Sequence, residues 1–389
     1  MSTEVHPRAE IVVDLAAVRH NVRVLAATAA ESGAEFMAVV KADAYGHGMV
    51  EVARAAREAG AGWLGVATPE EALALRDAGD TGRLLCWLSA PGDDLAPAVS
   101  RGVEVSAYNV EALDALGAIG GARVHLKVDT GLSRGGASRP EWPDFFARAA
   151  ALQAAGALEI VGLWSHLVAA DEPTAPINDT QECAFGEAAE MAAAAGLRGL
   201  VKHLANSAAT LTRASVHFDL VRCGIAVYGL SPAPGVIADT GLVPAMTARA
   251  ALVMTKQVRA GEGVSYGHRW VAAGDTVVGL VPAGYGDGIP RSASNRAEVW
   301  VAAARRPVRG TVCMDQFVVD LGASAAGAGD EVVLFGAGAD GAPTADDWAE
   351  AAGTINYEIV TRIGGRFTRR HVNVGLGPHE VTQHTEVSR

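Results

Sequence analysis

Short apolar runs alternate with longer alanine-rich stretches from about residue 14 to residue 242. The runs have the length of buried strands, and the stretches between them place apolar residues at the spacing of amphipathic helices. Eight strands are predicted, at Phe36–Val40, Trp63–Ala67, Leu84–Leu88, Val103–Ser106, Val124–Val128, Ile160–Ser165, Val201–Leu204 and Asp219–Cys223. Helices are predicted at Met49–Ala59, Pro69–Ala78, Glu111–Leu116, Trp142–Ala155 and Ala184–Ala195. This α/β alternation favours a (β/α)8 TIM-type barrel over an open doubly wound sheet.

After Pro244 the pattern changes to β-branched runs separated by glycines, which is typical of a β-rich domain. Strands are predicted at Ala250–Val258, Thr276–Val281, Glu298–Val301, Gln316–Leu321 and Glu331–Phe335. One helix is predicted to begin at Thr344, because Asp347 three residues later completes a capping-box pattern. We therefore predict a barrel domain over residues 11–242 and a mainly-β C-terminal domain over residues 243–389, with residues 1–10 as a candidate addition to the second.

The segment Gly336-x-Gly338-x-x-Gly341 matches the dinucleotide-binding fingerprint and follows a predicted strand. Fewer than 50 residues remain after it, which is too few for the rest of a dinucleotide-binding sheet. We interpret the segment as a glycine-rich turn.

Composition argues against several classes of partner. The chain carries a net charge of −12 without a cluster of lysine and arginine, whereas nucleic acids and anionic membranes attract concentrated positive charge. No apolar run reaches the roughly 18 residues of a membrane span, and residues 1–10 lack the apolar core of a secretory signal. The four cysteines are widely spaced, so neither a metal site nor a disulfide framework is predicted, and a cytoplasmic location is expected.

The ten residues VVKADAYGHG (39–48) carry the first chemical signal, a lysine at the end of an apolar run. Lys41 has two interpretations. Its ammonium reaches water along its apolar stem, or burial lowers its pKa and makes the amine a nucleophile that forms a Schiff base with a carbonyl carbon. This segment alone does not decide between them.

Polar residues recur where the predicted barrel strands end, which is where such barrels carry their functional residues. They are Lys41, Lys127, Asp129, Thr130, Arg134, His166, Asn206, Ser207 and Arg222, the last followed by Cys223 and Gly224. Each alone has a structural explanation, such as a core histidine or a helix cap, but core packing does not predict that they converge. Ser207 and the N–H groups of Gly224 and Ile225 occupy the usual phosphate position after strands seven and eight. A Schiff-base lysine with a phosphate cradle indicates pyridoxal 5'-phosphate.

Seven segments resemble those of alanine racemase, a family of fold-type III pyridoxal-phosphate enzymes, in the same order and nearly end to end. They are VVKADAYGHG (39–48), HLANSA (203–208), DLVRCGIAVYG (219–229), GVSYG (263–267), AGYGDGIPR (283–291), CMDQ (313–316) and NYEIVTRI (356–363). The resemblance implies a homodimer with shared active sites. It also implies racemisation of L- and D-alanine, a small-molecule substrate, to supply D-alanine for peptidoglycan.

The resemblance implies a role for each matching residue. Lys41 and Tyr266 are the implied catalytic bases. The implied cofactor ligands are Lys41, Tyr45, His166, Asn206, Ser207, Arg222, Gly224, Ile225 and Tyr357. Arg134 and Met314 are implied to bind the substrate carboxylate, and Tyr285, Arg291 and Asp315 to support the site or line its access. Lys127 matches a lysine that is carbamylated in some members, although an unmodified structural lysine is an equal interpretation.

Racemisation removes the α-proton from one face of the substrate and returns a proton to the other, so it requires a base on each side. The resemblance implies that Lys41 serves one face once the substrate has displaced it from the cofactor, and that Tyr266 serves the other. Because the reference pKa of a tyrosine is about 10, it needs cationic donors nearby to act as a base. The family's chain through His166 and Arg222 is expected to supply them. An arginine opposite the pyridine nitrogen keeps its proton, which favours racemisation over transamination.

Three alternatives stay open. Within enzymes they are a broad-specificity amino-acid racemase and a fold-type III amino-acid decarboxylase. Arg222 argues against the decarboxylase, because those enzymes resemble sites that pair the pyridine nitrogen with a carboxylate. A non-catalytic pyridoxal-phosphate-binding protein is built on a lone barrel, and the predicted second domain with Tyr266 argues against it.

Two positions depart from the family's pattern. Ser133 and Gly136 flank Arg134, where the family commonly has a glycine and a bulky apolar residue. Thr311 stands two residues before Cys313, where the family often has an arginine. The first departure affects the placement of Arg134, and the second predicts an altered access path.

Overall fold

A computed structural model describes residues 7–237 and 240–375. The chain divides into two compact units. One unit, the barrel unit, contains residues 18–242, and the other comprises the first 17 residues together with those from 243 onward.

The described residues form the following elements in chain order. The strands are β1 (Ala9–Asp14), β2 (Glu35–Val39), β3 (Trp63–Val66), β4 (Arg83–Cys86), β5 (Glu104–Ala107), β6 (Ala122–Lys127), β7 (Leu158–Trp164), β8 (Val201–His203), β9 (Leu220–Cys223), β10 (Met246–Ala251), β11 (Met254–Val258), β12 (Gly263–Val264), β13 (Trp270–Val271), β14 (Thr276–Val281), β15 (Glu298–Val301), β16 (Ala304–Arg309), β17 (Phe317–Gly322), β18 (Glu331–Phe335) and β19 (Thr368–Val372). The helices are α1 (Leu15–Glu31), α2 (Lys41–Tyr45), α3 (Met49–Glu58), α4 (Pro69–Asp77), α5 (Ala96–Ser100), α6 (Val110–Ile119), α7 (Trp142–Ala154), α8 (Ile177–Ala194), α9 (Ser207–Thr212), α10 (Ala345–Ala352) and α11 (Asn356–Arg362).

Strands β2 to β9 form a parallel sheet in the order β8-β7-β6-β5-β4-β3-β2-β9. The two end strands are joined by main-chain hydrogen bonds from Asp219 to Lys202 and from Arg222 to Ala205, each 3.0 Å from nitrogen to oxygen. The sheet therefore curves into the predicted (β/α)8 barrel, and each strand lies within two residues of its predicted bounds. Strands β3, β5 and β9 are buried along their whole length, because both faces of such strands are covered.

Local capping explains where two helices begin. Thr68 caps α4 by accepting a hydrogen bond from Glu71 N, and the Glu71 side chain accepts one from Thr68 N in return. Thr344 and Asp347 form the same reciprocal box at α10, as the sequence predicts. Just before α10, the glycine-rich segment contains a short 3₁₀ turn, as the turn interpretation expects. Across residues 7–237 and 240–375, no helix is long and apolar enough to cross a membrane.

The second unit is built on a sheet in the order β11-β14-β17-β16-β15-β18-β10-β1-β19. Its mainly-β character is as predicted. Strand β1 lies inside this sheet, antiparallel to β10 and parallel to β19. Residues 11–17 therefore belong to this unit, which corrects the predicted start of the barrel domain at residue 11.

The sequence pattern predicts some strands of this sheet wrongly and others not at all. The strand predicted at Ala250–Val258 is two strands, β10 and β11, which are separated at Leu252 and Val253. Strands β1, β16 and β19 are not predicted at all. The sequences of β16 (ARRPVR) and β19 (TRRHV) are rich in arginine, which obscures the alternation that marks a half-buried strand.

Candidate active site

The barrel residues that the sequence singles out lie at the carboxyl ends of its strands. Lys41 follows β2, Lys127 ends β6, His166 follows β7, Asn206 and Ser207 follow β8, and Arg222 and Gly224 lie at the end of β9. Because the carboxyl ends of barrel strands meet at one rim, the structure brings these residues together there.

A left-handed turn, residues 42–45, follows Lys41. All four residues have φ angles of 52–53°, a conformation that costs an L-residue about 1–2 kcal/mol. Glu71 supports the turn, because its Oε1 accepts a hydrogen bond from Ala42 N at 2.6 Å. Backbone strain of this kind clusters at functional sites and persists only where the surroundings impose it. Here it sets the path of the chain from Lys41 to Tyr45.

Tyr45 and Ser207 meet at the main chain of Gly224. Ser207 Oγ accepts a hydrogen bond from Gly224 N at 2.9 Å, and a β-carbon at position 224 would lie 2.3 Å from the Tyr45 hydroxyl oxygen. Glycine therefore allows the tyrosine hydroxyl to approach the main chain closely. Ile225 opens a 3₁₀ turn, Ile225–Tyr228, whose first N–H groups have no partner inside the turn. Two hydroxyls and main-chain N–H groups around one glycine can hold a phosphate.

The Tyr45 hydroxyl and the Asn206 side chain are both suited to hydrogen bonding at this end of the barrel. Burial raises the pKa of Tyr45 above its ordinary value, so its hydroxyl keeps its proton and can donate a hydrogen bond to an anion. Asn206 caps α9, because its Oδ1 accepts a hydrogen bond from Ala209 N at 3.0 Å. The Asn206 side chain is therefore held in one orientation at the rim.

The surroundings of Lys41 favour its neutral form. Burial lowers the pKa of Lys41, and the positive charge of Arg134 adds to the effect against the opposing charge of Glu71. The Lys41 Nζ lies 5.9 Å from the centroid of the Trp87 ring. A neutral amine is the form that attacks carbonyl carbons and accepts protons. The direction of this shift is the one that the nucleophile interpretation of Lys41 requires.

The loop that carries Arg134 accommodates both departures from the family's pattern around it. The Asp129 carboxylate accepts a hydrogen bond from Ser133 N at 3.1 Å. Ser133 has a φ of 57°, a left-handed conformation in which the glycine common in the family is easily accommodated. A β-carbon at position 136 would lie 2.7 Å from the carbonyl carbon of Val128. Gly136 is therefore required by the close approach of the two chain segments.

Lys127 and Arg222 contact the same aromatic ring. The Lys127 Nζ lies 4.5 Å from the centroid of the Trp164 ring, and the guanidinium carbon of Arg222 lies 4.9 Å from it. Burial lowers the pKa of Lys127 to about 8, with the charges of Arg134 and Arg222 adding to the effect. The face of an aromatic ring attracts cations, so Trp164, which sequence analysis missed, helps to hold both side chains.

The Arg222 guanidinium is buried and held in one orientation by main-chain oxygens. It donates hydrogen bonds to the carbonyls of His203 and Ser165, both at 2.8 Å, and to the carbonyl of Leu204 at 3.2 Å. Burial lowers the pKa of Arg222 to about 9. Because this value is above neutrality, the side chain keeps its charge at pH 7.

His166 is neutral, which corrects one expectation. Burial, followed by the positive charge of Arg222, holds the pKa of His166 well below its ordinary value of 6.5. Its Nδ1 lies 3.3 Å from an Arg222 nitrogen and accepts that hydrogen bond, since arginine can only donate. Of this pair, Arg222 alone carries the positive charge that was expected from both.

A buried chain of side chains, the Arg222–Glu104 chain, continues from Arg222 to a carboxylate. Arg222 contacts His203 Nδ1 at 3.2 Å, His203 Nε2 contacts His125 Nδ1 at 2.8 Å, and His125 Nε2 contacts Glu104 Oε2 at 2.7 Å. Burial lowers the pKa of both histidines, so each is neutral and carries one N–H. Because arginine only donates and a carboxylate only accepts, both imidazoles carry that proton on Nε2.

Glu104 is ionised throughout the neutral range. Burial alone would raise its pKa, but hydrogen bonds from His125 and Arg83 lower the pKa of Glu104 to about 2. Sequence analysis missed Glu104, His125 and His203, although one signal was present: each is a polar residue inside a strand that otherwise reads as buried. Such groups must find partners inside the fold.

The second unit carries the other predicted residues, and several of them face outward. Tyr266 begins a 3₁₀ turn and is 73% exposed. Met314 and Tyr285 are 54% and 44% exposed. Tyr285 N donates a hydrogen bond to Cys313 O at 2.9 Å. The segments AGYGDGIPR and CMDQ, far apart in the chain, therefore meet in this unit.

Arg366, which sequence analysis missed, links the same two segments. Its guanidinium forms ion pairs with Asp287 at 2.7 Å and with Asp315 at 2.6 Å. The remaining predicted residues of this unit are Arg291, which begins a 3₁₀ turn, and Tyr357, which lies on α11. Asp315 thus holds the loop that carries Met314 through an ion pair.

Known proteins match both units. The family described as "Alanine racemase, N-terminal domain" matches residues 13–232, and "Alanine racemase, C-terminal domain" matches residues 245–371. Alanine racemase of Salinispora arenicola is 55% identical over 362 residues, which cover 92% of this chain and 96% of that protein. Alanine racemase of Frankia casuarinae is 54% identical over 368 residues, which cover 93% and 95%.

Solved structures agree with these matches. The crystal structure of alanine racemase from D-cycloserine-producing Streptomyces lavendulae has a TM-score of 0.93 at 51% identity and covers 96% of this chain and 99% of its own. Alanine racemase from Streptomyces coelicolor A3(2) has a TM-score of 0.92 at 51% identity, with 94% and 98% covered. The chain therefore belongs to the alanine racemase family, whose members are isomerases that act on amino acids.

Proposed function

We propose that this chain interconverts L-alanine and D-alanine with pyridoxal 5'-phosphate as cofactor. Lys41 serves one face of the substrate and Tyr266 serves the other. The observation that carries the proposal is the barrel rim, where a desolvated lysine, a phosphate cradle and a fixed guanidinium lie on three strand ends. The shared name of the relatives supports alanine as the substrate.

The rim residues fit this cofactor. Lys41 would hold its carbonyl carbon, and the hydroxyls of Tyr45 and Ser207 with the N–H groups of Gly224 and Ile225 would hold its phosphate. The absence of a β-carbon at position 224 leaves space beside the Tyr45 hydroxyl. The further proposed ligands are Asn206, His166, Arg222 and Tyr357. The cofactor supplies a ring that takes up the electron pair left when the α-proton is removed.

Arg222 is proposed to face the pyridine nitrogen and to favour racemisation over transamination and decarboxylation. Its pKa of about 9 keeps it charged at pH 7, so it donates a hydrogen bond without releasing its proton. A carboxylate in this place would stabilise a protonated pyridine and a stronger electron sink. The Arg222–Glu104 chain supports the donor role, because His203 Nδ1 at 3.2 Å adds an acceptor to the carbonyls that hold the guanidinium.

Proton transfer is proposed to use two separate carriers. Lys41 Nζ accepts or returns a proton on one face, which its lowered pKa favours. Tyr266 Oη does so on the face from which L-alanine loses its proton. Arg134 and the main chain of Met314 are proposed to hold the substrate carboxylate, with Tyr285, Arg291 and Asp315 supporting the site or lining its access.

Tyr266 is proposed to act in the barrel of a second copy, in a homodimer with shared active sites. Its exposure, together with that of Met314 and Tyr285 on adjoining loops, is typical of a surface that receives a partner. A two-fold axis would supply each barrel with one such surface.

Lys127 is proposed to be carbamylated. Carbon dioxide reacts with a neutral amine, and burial lowers the pKa of Lys127 to about 8, so the reactive fraction grows as the pH rises through this value. The carbamate would pair with the nearby positive charge of Arg134. After incubation with 13C-bicarbonate, the enzyme should show a carbamate carbon signal in 13C NMR that is absent from Lys127→Ala.

The proposed role is the supply of D-alanine for peptidoglycan in the cytoplasm. The four cysteines are unpaired, as in proteins of a reducing compartment. Expression of the chain should allow a bacterial strain that requires D-alanine to grow without it. Failure of the active, soluble enzyme to do so would contradict this role.

The cofactor assignment has a direct chemical test. The purified enzyme should absorb visible light, and reduction with borohydride should join the cofactor covalently to one lysine. Peptide mapping is expected to identify Lys41. Label on Lys127 or on another lysine would refute the assignment.

The substrate assignment is tested by a panel of amino acids. Racemisation of alanine should exceed that of serine or lysine at equal concentration. If lysine or arginine is the better substrate, the chain is a broad-specificity racemase, and release of carbon dioxide would indicate a decarboxylase. This assay decides among the functions that share the fold.

A further inference from the structure

The turn that carries Tyr266 is strained at the residue before it. Ser265 has a φ of 62° and a ψ of −172°, a region that is occupied almost only by glycine and that costs about 1–3 kcal/mol. Gly267 and His268 also have positive φ angles, of 71° and 44°. Such a conformation persists only where neighbouring groups impose it.

Thr311 contacts this turn in two directions. Ser265 Oγ donates a hydrogen bond to Thr311 O at 2.6 Å, and Thr311 Oγ1 donates one to Tyr266 O at 3.0 Å. Thr311 itself is only 3% exposed. One buried residue therefore holds both the strained residue and the proposed base that follows it.

The segment around Thr311 is fixed in turn. Gly310 N donates a hydrogen bond to Asn295 Oδ1 at 2.6 Å, and Val312 N donates one to Ser294 Oγ at 2.9 Å. A β-carbon at position 310 would lie 2.6 Å from Val264 O, so the two main chains are in contact there. Hydrogen bonds from the residues on both sides of Thr311 therefore fix its main chain.

We infer that Thr311 is a positioning residue that fixes the direction in which the Tyr266 side chain projects from the second unit. The inference rests on the proposed function, in which Tyr266 moves a proton. An arginine, which the family often has here, carries its donors far beyond the adjacent main-chain carbonyl. The short threonine hydroxyl reaches that carbonyl directly, so the departure from the family's pattern serves orientation.

The inference predicts an effect on one face of the substrate. Proton transfer is steeply sensitive to the placement of the base, and a misplacement of about 1 Å costs about 10²-fold. Thr311→Val removes the hydroxyl but keeps the shape. It should lower α-proton exchange from L-alanine by about 10-fold while leaving exchange from D-alanine within about 2-fold.

The experiment compares α-proton exchange into deuterated water from the two enantiomers in matched variants. Thr311→Ser keeps the hydroxyl and should restore the wild-type ratio. Thr276→Val removes a comparable hydroxyl bond, from Thr276 Oγ1 to Asp320 at 2.6 Å in the same unit, and should leave the ratio unchanged. Should Thr311→Val fail to fold, Ser265→Ala removes the other bond and should produce the same asymmetry.

A second readout does not depend on turnover. Amide hydrogen exchange of residues 265–268 should become faster in Thr311→Val than in the wild type and in Thr276→Val, because the turn loses a bond that holds it. Equal losses with both enantiomers, or unchanged amide exchange, would overturn the role of Thr311. If Tyr266→Phe itself shows no asymmetry, the two-base function fails, and the positioning role fails with it.

Discussion

The barrel rim and the Tyr266 turn fix their chemical groups in opposite ways. On the rim, Arg222 is buried and held through its side chain, by carbonyl oxygens and by the chain that ends at Glu104. In the second unit, Tyr266 is held through its main chain and its ring is exposed. A buried group can be oriented by partners around its own side chain, whereas an exposed one must be aimed from its backbone.

The two regions also differ in the unfavourable feature that each must stabilise, which is buried charge in the barrel and backbone strain in the turn. The barrel keeps charges out of water, since the Arg222–Glu104 chain runs from a cation at the end of β9 to an anion at the start of β5. The turn instead keeps Ser265 in a conformation that suits glycine. The rim should therefore respond to removal of charge, and the turn to removal of a hydroxyl group.

The largest effect is expected at the rim, from Lys41→Ala. This variant loses both the anchor of the cofactor and one proton carrier, so racemisation should fall by about 10⁴-fold or more. A racemisation assay checks this, with Lys256→Ala as the control, because Lys256 is an exposed lysine of the second unit. Retention of activity within about 10-fold would contradict the role of Lys41.

A smaller effect is expected at the far end of the buried chain. Glu104→Gln keeps the size of the side chain but removes the charge that fixes both imidazole tautomers. We expect a loss of about 2 kcal/mol in the free energy of unfolding and about a 10-fold loss of activity through Arg222. Denaturant unfolding measures the stability, a racemisation assay measures the activity, and 15N NMR of the histidines reports their tautomers.

The control for that substitution is Glu159→Gln. Glu159 pairs with Arg123 at 2.8 Å, but both side chains are exposed, so its loss should cost less than about 1 kcal/mol. Equal losses of unfolding free energy in the two variants would show that the buried chain stabilises the fold no more than an exposed ion pair does. Unchanged histidine tautomers in Glu104→Gln would contradict the orientation derived for the chain.

The effect with the narrowest range of conditions concerns acid stability. Because the pKa of Glu104 falls from an ordinary value of 4.5 to about 2 in the folded protein, its contribution is complete above pH 4.5 and is lost as the pH falls toward 2. The stability of the wild type should therefore decline over this interval, and that of Glu104→Gln should decline less steeply. Parallel declines in pH-dependent unfolding would contradict the lowered pKa.

The sequence predicted the barrel because its signals are local. Each parallel strand is a short apolar run with a helix after it, and the polar residue that ends the run reaches the rim whatever the details of the loop. Lys41 and Arg222 were found in this way. The strand β16, with three arginines in six residues, has no such local signal and was missed.

The parts that could not be predicted depend on partners distant in the chain. His125 and His203 are 78 residues apart and meet only in the folded barrel, so neither sequence neighbourhood shows the contact. The left-handed turn after Lys41 contains no glycine, and nothing in its residue types indicates its hand. Thr311 was recognised as a departure, but its contact with Tyr266 became visible only in three dimensions.

The central claim is that the two proton carriers come from the two regions, with Tyr266 supplied by a second copy. Lys41→Ala and Tyr266→Phe should each be nearly inactive, and the two proteins can be unfolded together and refolded as a 1:1 mixture. If sites are shared, half of the dimers are mixed and each has one intact site, so activity should return to about one quarter of the wild-type value. A mixture that stays as inactive as its components, although mixed dimers form, would contradict the claim.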